Sequence, residues 1–294
     1  MTQTRRSMRF ALGLFIAIAT ISLTQSQSNS GLSVDLPDGF AATVYASEDQ
    51  LANPVSLHVA DNGNIFVTES HRRMAGVFGV TFSRWWSMED YAAGSLSERL
   101  AMYRRWSDKV PFHTLTNKAD RIRLLIDDNH DSIADRSSIY AEDLIGPLAG
   151  NAAGILEHKG HVYVTCIPDL YRYQDLDHDM KADIRESLAS GFGVRVGVHG
   201  HDLHGLTWGP EGRLYFTVGD RGFNLLGHND PSLNQPRRGA VFRCEPDGSR
   251  LEVFHTGLRN PQEIAFDEFG NLFTVDNNMS GGDECRLLYL MEGG

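Results

Sequence analysis

The chain has 294 residues, 41% of them hydrophobic and 10% aromatic, and a formal net charge of −11 at pH 7. This length and composition suit one large all-β domain or two ordinary ones with a sizeable core, and they exclude wholesale disorder. The negative charge excludes a surface built for nucleic acid or anionic lipid, and its concentration in local aspartate clusters points to cations instead.

The N-terminus reads as a targeting segment. Arg5, Arg6 and Arg9 form a basic region, Phe10 to Leu23 is an apolar run, and a polar stretch follows. The run is short for a spanning helix and predicts a secretory signal over residues 1–28, with export to a periplasm or the outside. An uncleaved anchor is the alternative, because no clean A-x-A cleavage site is present, and it is the one membrane link the sequence offers. Cys166, Cys244 and Cys285 are odd in number and widely spaced, with no CxxC. They read as small buried hydrophobes, with one disulfide left open.

Residues 36–294 read as one repetitive domain. Gly39 to Ala46 has strand composition. A strand, glycine turn, strand unit then recurs at Asn53–Thr68, Ala153–Thr165, His204–Thr217 and Asn260–Thr274, with the aromatic positions Phe66, Tyr163, Tyr215 and Phe273 spaced by 97, 52 and 58 residues. A second hairpin follows each of the first three copies: Arg121–Ile126 with Ser138–Ala141, Leu170–Tyr173 with Glu186–Ala189, and Ala240–Arg243 with Leu251–Phe254. Four strands at a period near fifty predict an all-β propeller of about four blades, the last incomplete.

The long first interval is filled by an insertion over residues 72–118, with a helical pattern from Met88 to Trp106 that includes Tyr91, Leu96, Leu100 and Tyr103. It is expected to form a lid or rim, with Trp85, Trp86 and Trp106 either packing a core or lining an entrance. The fourth blade has its inner hairpin and one further strand, Arg286–Leu290. An open arc leaves sheet edges uncovered, so the expectation is a fragment of a longer protein, whose last blade the Gly39–Ala46 strand would complete.

Two outer hairpins turn through matching D-x-[DN]-x-D-x-x-x-D loops: Asp127, Asn129, Asp131 and Asp135 in one, Asp175, Asp177, Asp179 and Asp183 in the other. Oxygen ligands at alternate positions can converge on Ca²⁺, and without an ion they would repel. The glycine usual at the sixth position is Ser132 or Met180 here, and solvated turns are the alternative.

His199, His201 and His204 fall within six residues, just before a hairpin that ends on Gly219-Asp220. A hairpin carries its two ends to the same sheet edge, making His201 and Asp220 neighbours. A carboxylate holding one imidazole nitrogen leaves the other free to act as a base. A histidine-rich surface turn is the plainer alternative.

Two segments carry a family resemblance: HxxxGLxxGPEGxLYxTxGD from His201 to Asp220, and GLRNPQEIAF from Gly257 to Phe266, continued by DNNMSGGDE from Asp276 to Glu284. They resemble the soluble quinoprotein glucose/sorbosone dehydrogenases, and most of all an exported, membrane-bound-dehydrogenase branch from planctomycete-like bacteria. The resemblance implies a six-bladed propeller that oxidises a sugar or other alcohol by hydride transfer to pyrroloquinoline quinone (PQQ), with an electron acceptor such as a cytochrome c. It makes His201 the general base and Asp220 its orienting carboxylate, and it assigns Arg259 and Asn260 to the quinone. Catalytic Ca²⁺ would take main-chain carbonyls of Asn278 and Met279, with Asp283 a further ligand. Departures are Asn278 and Met279 in place of glycine and proline, His204 in place of glycine, and no CxxCH segment. A calcium-stabilised binding propeller and a lactonase-like hydrolase are the competing readings.

Overall fold

The structure is a computed structural model, and it describes residues 34–277 and 284–294. The signal segment lies outside the described residues. Blade one consists of β1 (Pro54–Val59), β2 (Ile65–Glu69), β3 (Asp120–Ile126) and β4 (Arg136–Leu144), paired antiparallel in chain order. Its β2–β3 connection holds α1 (Ser87–Ala92) and α2 (Leu96–Arg105). Blade two repeats the meander with β5 (Ile155–His158), β6 (His161–Cys166), β7 (Asp169–Gln174) and β8 (Ile184–Ser190).

Blade three begins with β9 (Leu203–Trp208) and β10 (Leu214–Val218). A two-stranded ribbon, β11 (Phe223–Asn224) with β12 (Asn234–Gln235), follows before β13 (Gly239–Cys244) and β14 (Glu252–Leu258) complete the sheet. Among the described residues blade four has three strands: β15 (Pro261–Phe266), β16 (Leu272–Asp276) and β17 (Arg286–Leu290). The predicted all-β propeller of four blades, the last short by one strand, is the observed architecture. Strand β17 has the bounds read from the sequence.

The first strands of successive blades touch, β1 with β5, β5 with β9 and β9 with β15, which sets them innermost around a shared axis. Buried threonines on second strands tie one blade to the next. Thr68 Oγ1 donates to Ala153 O at 2.9 Å, and Thr217 Oγ1 donates to Pro261 O at 2.6 Å. Apolar layers fill the gaps between blades. Phe192, Phe216, Phe223 and Phe242 pack edge-on and stacked between blades two and three, and Tyr215, Phe254 and Ile264 pack between three and four. Each such side chain contributes about 1.5–3 kcal/mol on burial.

Three expectations need correction. Gly39 to Ala46 forms no strand. Its β propensity is overridden because it finds no ladder: Tyr45 O accepts one hydrogen bond, from Ala134 N, while Tyr45 and Ala46 pack against Val67 and Leu125 of blade one. The insertion is two helices rather than one, broken between Ala92 and Leu96 around Gly94, with Ser95 capping α2 by accepting from Glu98 N. Its apolar face also differs from the reading, because Trp86, Met102 and Tyr103 are buried whereas Tyr91 is exposed. Trp86 and Trp106 belong to that small core, and Trp85 stands out of it. All three cysteines are free, Cys166 and Cys244 buried and Cys285 exposed.

Candidate active site

The β9–β10 hairpin pairs Leu203 with Val218, so continuing two residues past that rung on each strand brings His201 opposite Asp220. Their side chains meet, with His201 Nδ1 2.6 Å from Asp220 Oδ1. His201 is buried and Asp220 partly exposed. Gly219 makes the approach possible, since a Cβ there would lie 2.9 Å from the His201 Cα. Asp220 accepts from the imidazole, so Nδ1 carries the proton and the lone pair is left on Nε2. Nε2 makes no hydrogen bond among the described residues.

Asp220 N–H donates to Arg259 O at 2.7 Å, which joins the hairpin end to the turn before β15. That turn is clamped by buried Asp276, which accepts from Arg259 N at 3.0 Å and Asn260 N at 2.7 Å. The Arg259 guanidinium donates to Asn277 Oδ1. Asn260 is buried, and its side-chain Oδ1 has no hydrogen-bond partner among the described residues. The structure therefore brings together His201, Asp220, Arg259 and Asn260 at one end of blades three and four. Asn278, Met279 and Asp283 lie outside the described residues.

The other two histidines have main-chain partners. His199 Nε2 lies 3.2 Å from Val77 O, and His204 Nε2 lies 2.8 Å from Gly200 O. Burial holds the His204 imidazole below its usual basicity.

Three groups escaped the sequence reading. Asp202 and Arg221 form a buried ion pair, each the immediate neighbour of a member of the His201–Asp220 pair, and Arg221 Nε also donates to Arg195 O at 3.0 Å. Alternation along the hairpin was the available signal, because residues next to a facing pair project to the opposite side together. Asp90 on α1 is buried and accepts from Val196 N at 2.5 Å and Gly197 N at 3.2 Å, so the insertion holds the loop that leads into His201. Glu263 on β15 is reached by solvent, yet the surrounding protein pushes its carboxyl up to about 7 by desolvation.

Both aspartate loops sit on outer hairpins, β3–β4 and β7–β8. Ser132 and Met180 take φ of +71° and +73°, so the sixth position turns left-handed without glycine. In the second loop, ligand oxygens of Asp175, Asp177 and Asp183 lie within 4.8 Å of one another, with Asp179 outside that group. In the first, Asp127 accepts from the backbone N–H of His130 and Ser132, and Asp135 from Asp128 N and the Asn129 side chain.

Residues 26–288 match the model of a family described as a domain of unknown function, DUF7133. No curated protein matches the chain in sequence. Among solved structures, the PQQ-bound aldose sugar dehydrogenase of Streptomyces coelicolor superposes with a TM-score of 0.50 at 18% identity, over 83% of this chain and 61% of that one. A glucose dehydrogenase-type oxidoreductase from Thermus thermophilus gives 0.48 at 19% identity, over 83% and 63%. The PQQ domain of pyranose dehydrogenase from Coprinopsis cinerea gives 0.47 at 14%, over 82% and 51%. The chain thus spans about three-fifths of the length of the first of these, and the likeness is one of fold. The chain belongs to the DUF7133 family, whose domain is here a β-propeller of the architecture seen in a PQQ-bound sugar dehydrogenase.

Proposed function

We propose that the protein is an exported oxidoreductase that oxidises a sugar or another alcohol, with PQQ as cofactor and a small electron carrier such as a cytochrome c as acceptor. The observation that carries this reading is the 2.6 Å His201–Asp220 contact with Nε2 left free. His201 Nε2 takes the proton of the substrate hydroxyl. Asp220 holds the ring in the tautomer that makes this possible and stabilises the imidazolium that results.

The neighbouring residues fit a planar, polyanionic quinone. Asn260 presents a buried amide whose Oδ1 lacks a partner, and the Arg259 guanidinium faces no carboxylate among the described residues. Asn260 would orient the cofactor, and Arg259 would neutralise its negative charge. When bound, PQQ supplies a two-electron acceptor for the hydrogen leaving the carbinol carbon. Asp276 fixes both residues through their backbone N–H groups. On the outer edge, Ca²⁺ is assigned to the aspartate loops as a structural ion, held by Asp175, Asp177 and Asp183 in blade two.

The test is dye reduction by the protein reconstituted with PQQ and Ca²⁺ across a panel of aldoses and polyols. Activity with at least one of them is expected, lost about 10³-fold in His201→Ala, within the range for a general base. Absence of both activity and retained quinone overturns the reading.

A further inference from the structure

The insertion carries a line of exposed side chains that its own core does not use. Phe82, Trp85, Met88 and Tyr91 recur every three residues and are 61%, 41%, 84% and 61% exposed, whereas Trp86 among them is fully buried. That spacing aligns them along one side of the turn Arg84–Trp86 and of α1. A row of exposed large apolar side chains on one element marks a binding site more often than singly scattered ones do.

Each end of the line is anchored to something already described. The Phe82 ring lies 6.0 Å from the ring of His199, two residues before the base. At the other end the Tyr91 ring lies 5.2 Å from the guanidinium groups of both Arg195 and Arg237. Arg237 and Arg238, with Asn234 and Gln235, line a cleft of about 480 Å³. The wall of that cleft presses on the hairpin end, since a Cβ on Gly222 would lie 2.1 Å from the Pro236 carbonyl carbon, two residues beyond Asp220. One end of the line and the wall of the cleft thus each meet a residue that lies within two positions of the His201–Asp220 pair in sequence.

The loop side of this surface carries positive charge without an ion-pair partner among the described residues. Several exposed or half-buried arginines elsewhere meet carboxylates, as Arg105 does Glu89, Arg185 does Asp143 and Arg213 does Glu252. Arg237 instead donates to the main-chain carbonyls of Tyr91 and Ala92, and Arg238 has no ion pair among the described residues. Two guanidiniums without counter-ions, in a chain of net charge −11, form a local site for anions. Flat aromatic faces suit the apolar faces of sugar rings.

We propose that the surface where the insertion meets the β12–β13 loop, joined by Arg237 to Tyr91 and Ala92, binds an acidic oligosaccharide, one bearing carboxylate or sulfate groups. The rings of Trp85 and Phe82 stack on its sugars, Arg238 meets its anionic groups, and the terminal residue reaches His201. This rests on reading the His201 site as one for a sugar hydroxyl.

Binding is measured without cofactor, by calorimetry and tryptophan fluorescence, using oligogalacturonate, a sulfated galactan oligosaccharide and neutral cello-oligosaccharides. At least one acidic oligomer is expected to bind, tenfold or more weakly in each of Trp85→Ala and Arg238→Gln, with the unfolding midpoints unchanged because both side chains are exposed. Met88→Ala serves as a second probe of the aromatic line. Equal binding of neutral oligomers, unchanged affinity in the variants, no binding of either acidic oligomer, or capture by anionic phospholipid vesicles instead would each overturn the proposal. Oligosaccharide binding without dye reduction would break the catalytic reading and leave the binding surface standing, whereas dye reduction without oligosaccharide binding would do the reverse.

Discussion

Carboxylates at the axial end of the blades and carboxylates at their outer edge are held in opposite ways. At the axial end each one is committed: Asp220 to His201, Asp202 to Arg221, Asp276 to two backbone N–H groups, and Asp120 to the N–H groups of His71, Arg72 and Ala152. At the outer edge of blade two, Asp175, Asp177 and Asp183 accept only from backbone N–H groups of their own loop, among the described residues, and crowd together with no opposite charge among them. The first group needs no ion, because burial has been matched partner by partner. The second keeps its mutual repulsion, which a cation of the kind proposed above would relieve, so the same residue type builds a fixed site in one place and an uncompensated cluster in the other.

The contrast can be broken most severely at the buried ion pair. Asp202→Ala leaves the Arg221 guanidinium buried and uncompensated, and should cost about 3–5 kcal/mol in chemical denaturation. A loss below about 1 kcal/mol would show that Asp202 is not committed as described. At the outer edge, removing Ca²⁺ with a chelator should lower stability by about 2.7 kcal/mol relative to Ca²⁺ at a hundred times its Kd. Asp177→Asn should reduce that response, and a melting temperature indifferent to Ca²⁺ would return the loops to ordinary solvated turns.

The smallest expected effect concerns Glu263, which has no carboxylate or guanidinium partner to shift it. Its folded carboxyl holds a proton more tightly than the unfolded chain does, so stability falls as pH rises from 4.5 to about 7. Glu263→Gln should therefore be the more stable protein at pH 8, by about 1 kcal/mol once solvent access is allowed for, and indistinguishable below pH 4. The opposite ordering at pH 8 would contradict the desolvation assigned to it.

The hairpin pair was legible because it follows from register alone: His201 and Asp220 stand at equal distances beyond the Leu203–Val218 rung. The blades were legible for a similar reason, the recurrence of strand, glycine turn and strand. The pieces that were not legible depend on contacts distant in sequence. Nothing near Asp90 indicates that it caps the backbone of Val196 and Gly197, and nothing near Phe223 indicates its ribbon with Gln235. The Gly39–Ala46 segment has strand residues and no partner strand among the described residues, so composition misled there.

The central claim is that Asp220 fixes His201 in the tautomer that leaves Nε2 unprotonated. Nitrogen-15 NMR of the labelled imidazoles, with His201 assigned by substitution, tests this without cofactor or substrate. At neutral pH the His201 ring should show a protonated Nδ1 and a bare Nε2, and the Nδ1 proton should be lost from its hydrogen bond in Asp220→Ala, which removes the acceptor. A His201 ring protonated on Nε2 alone, and unmoved by that substitution, would contradict the account.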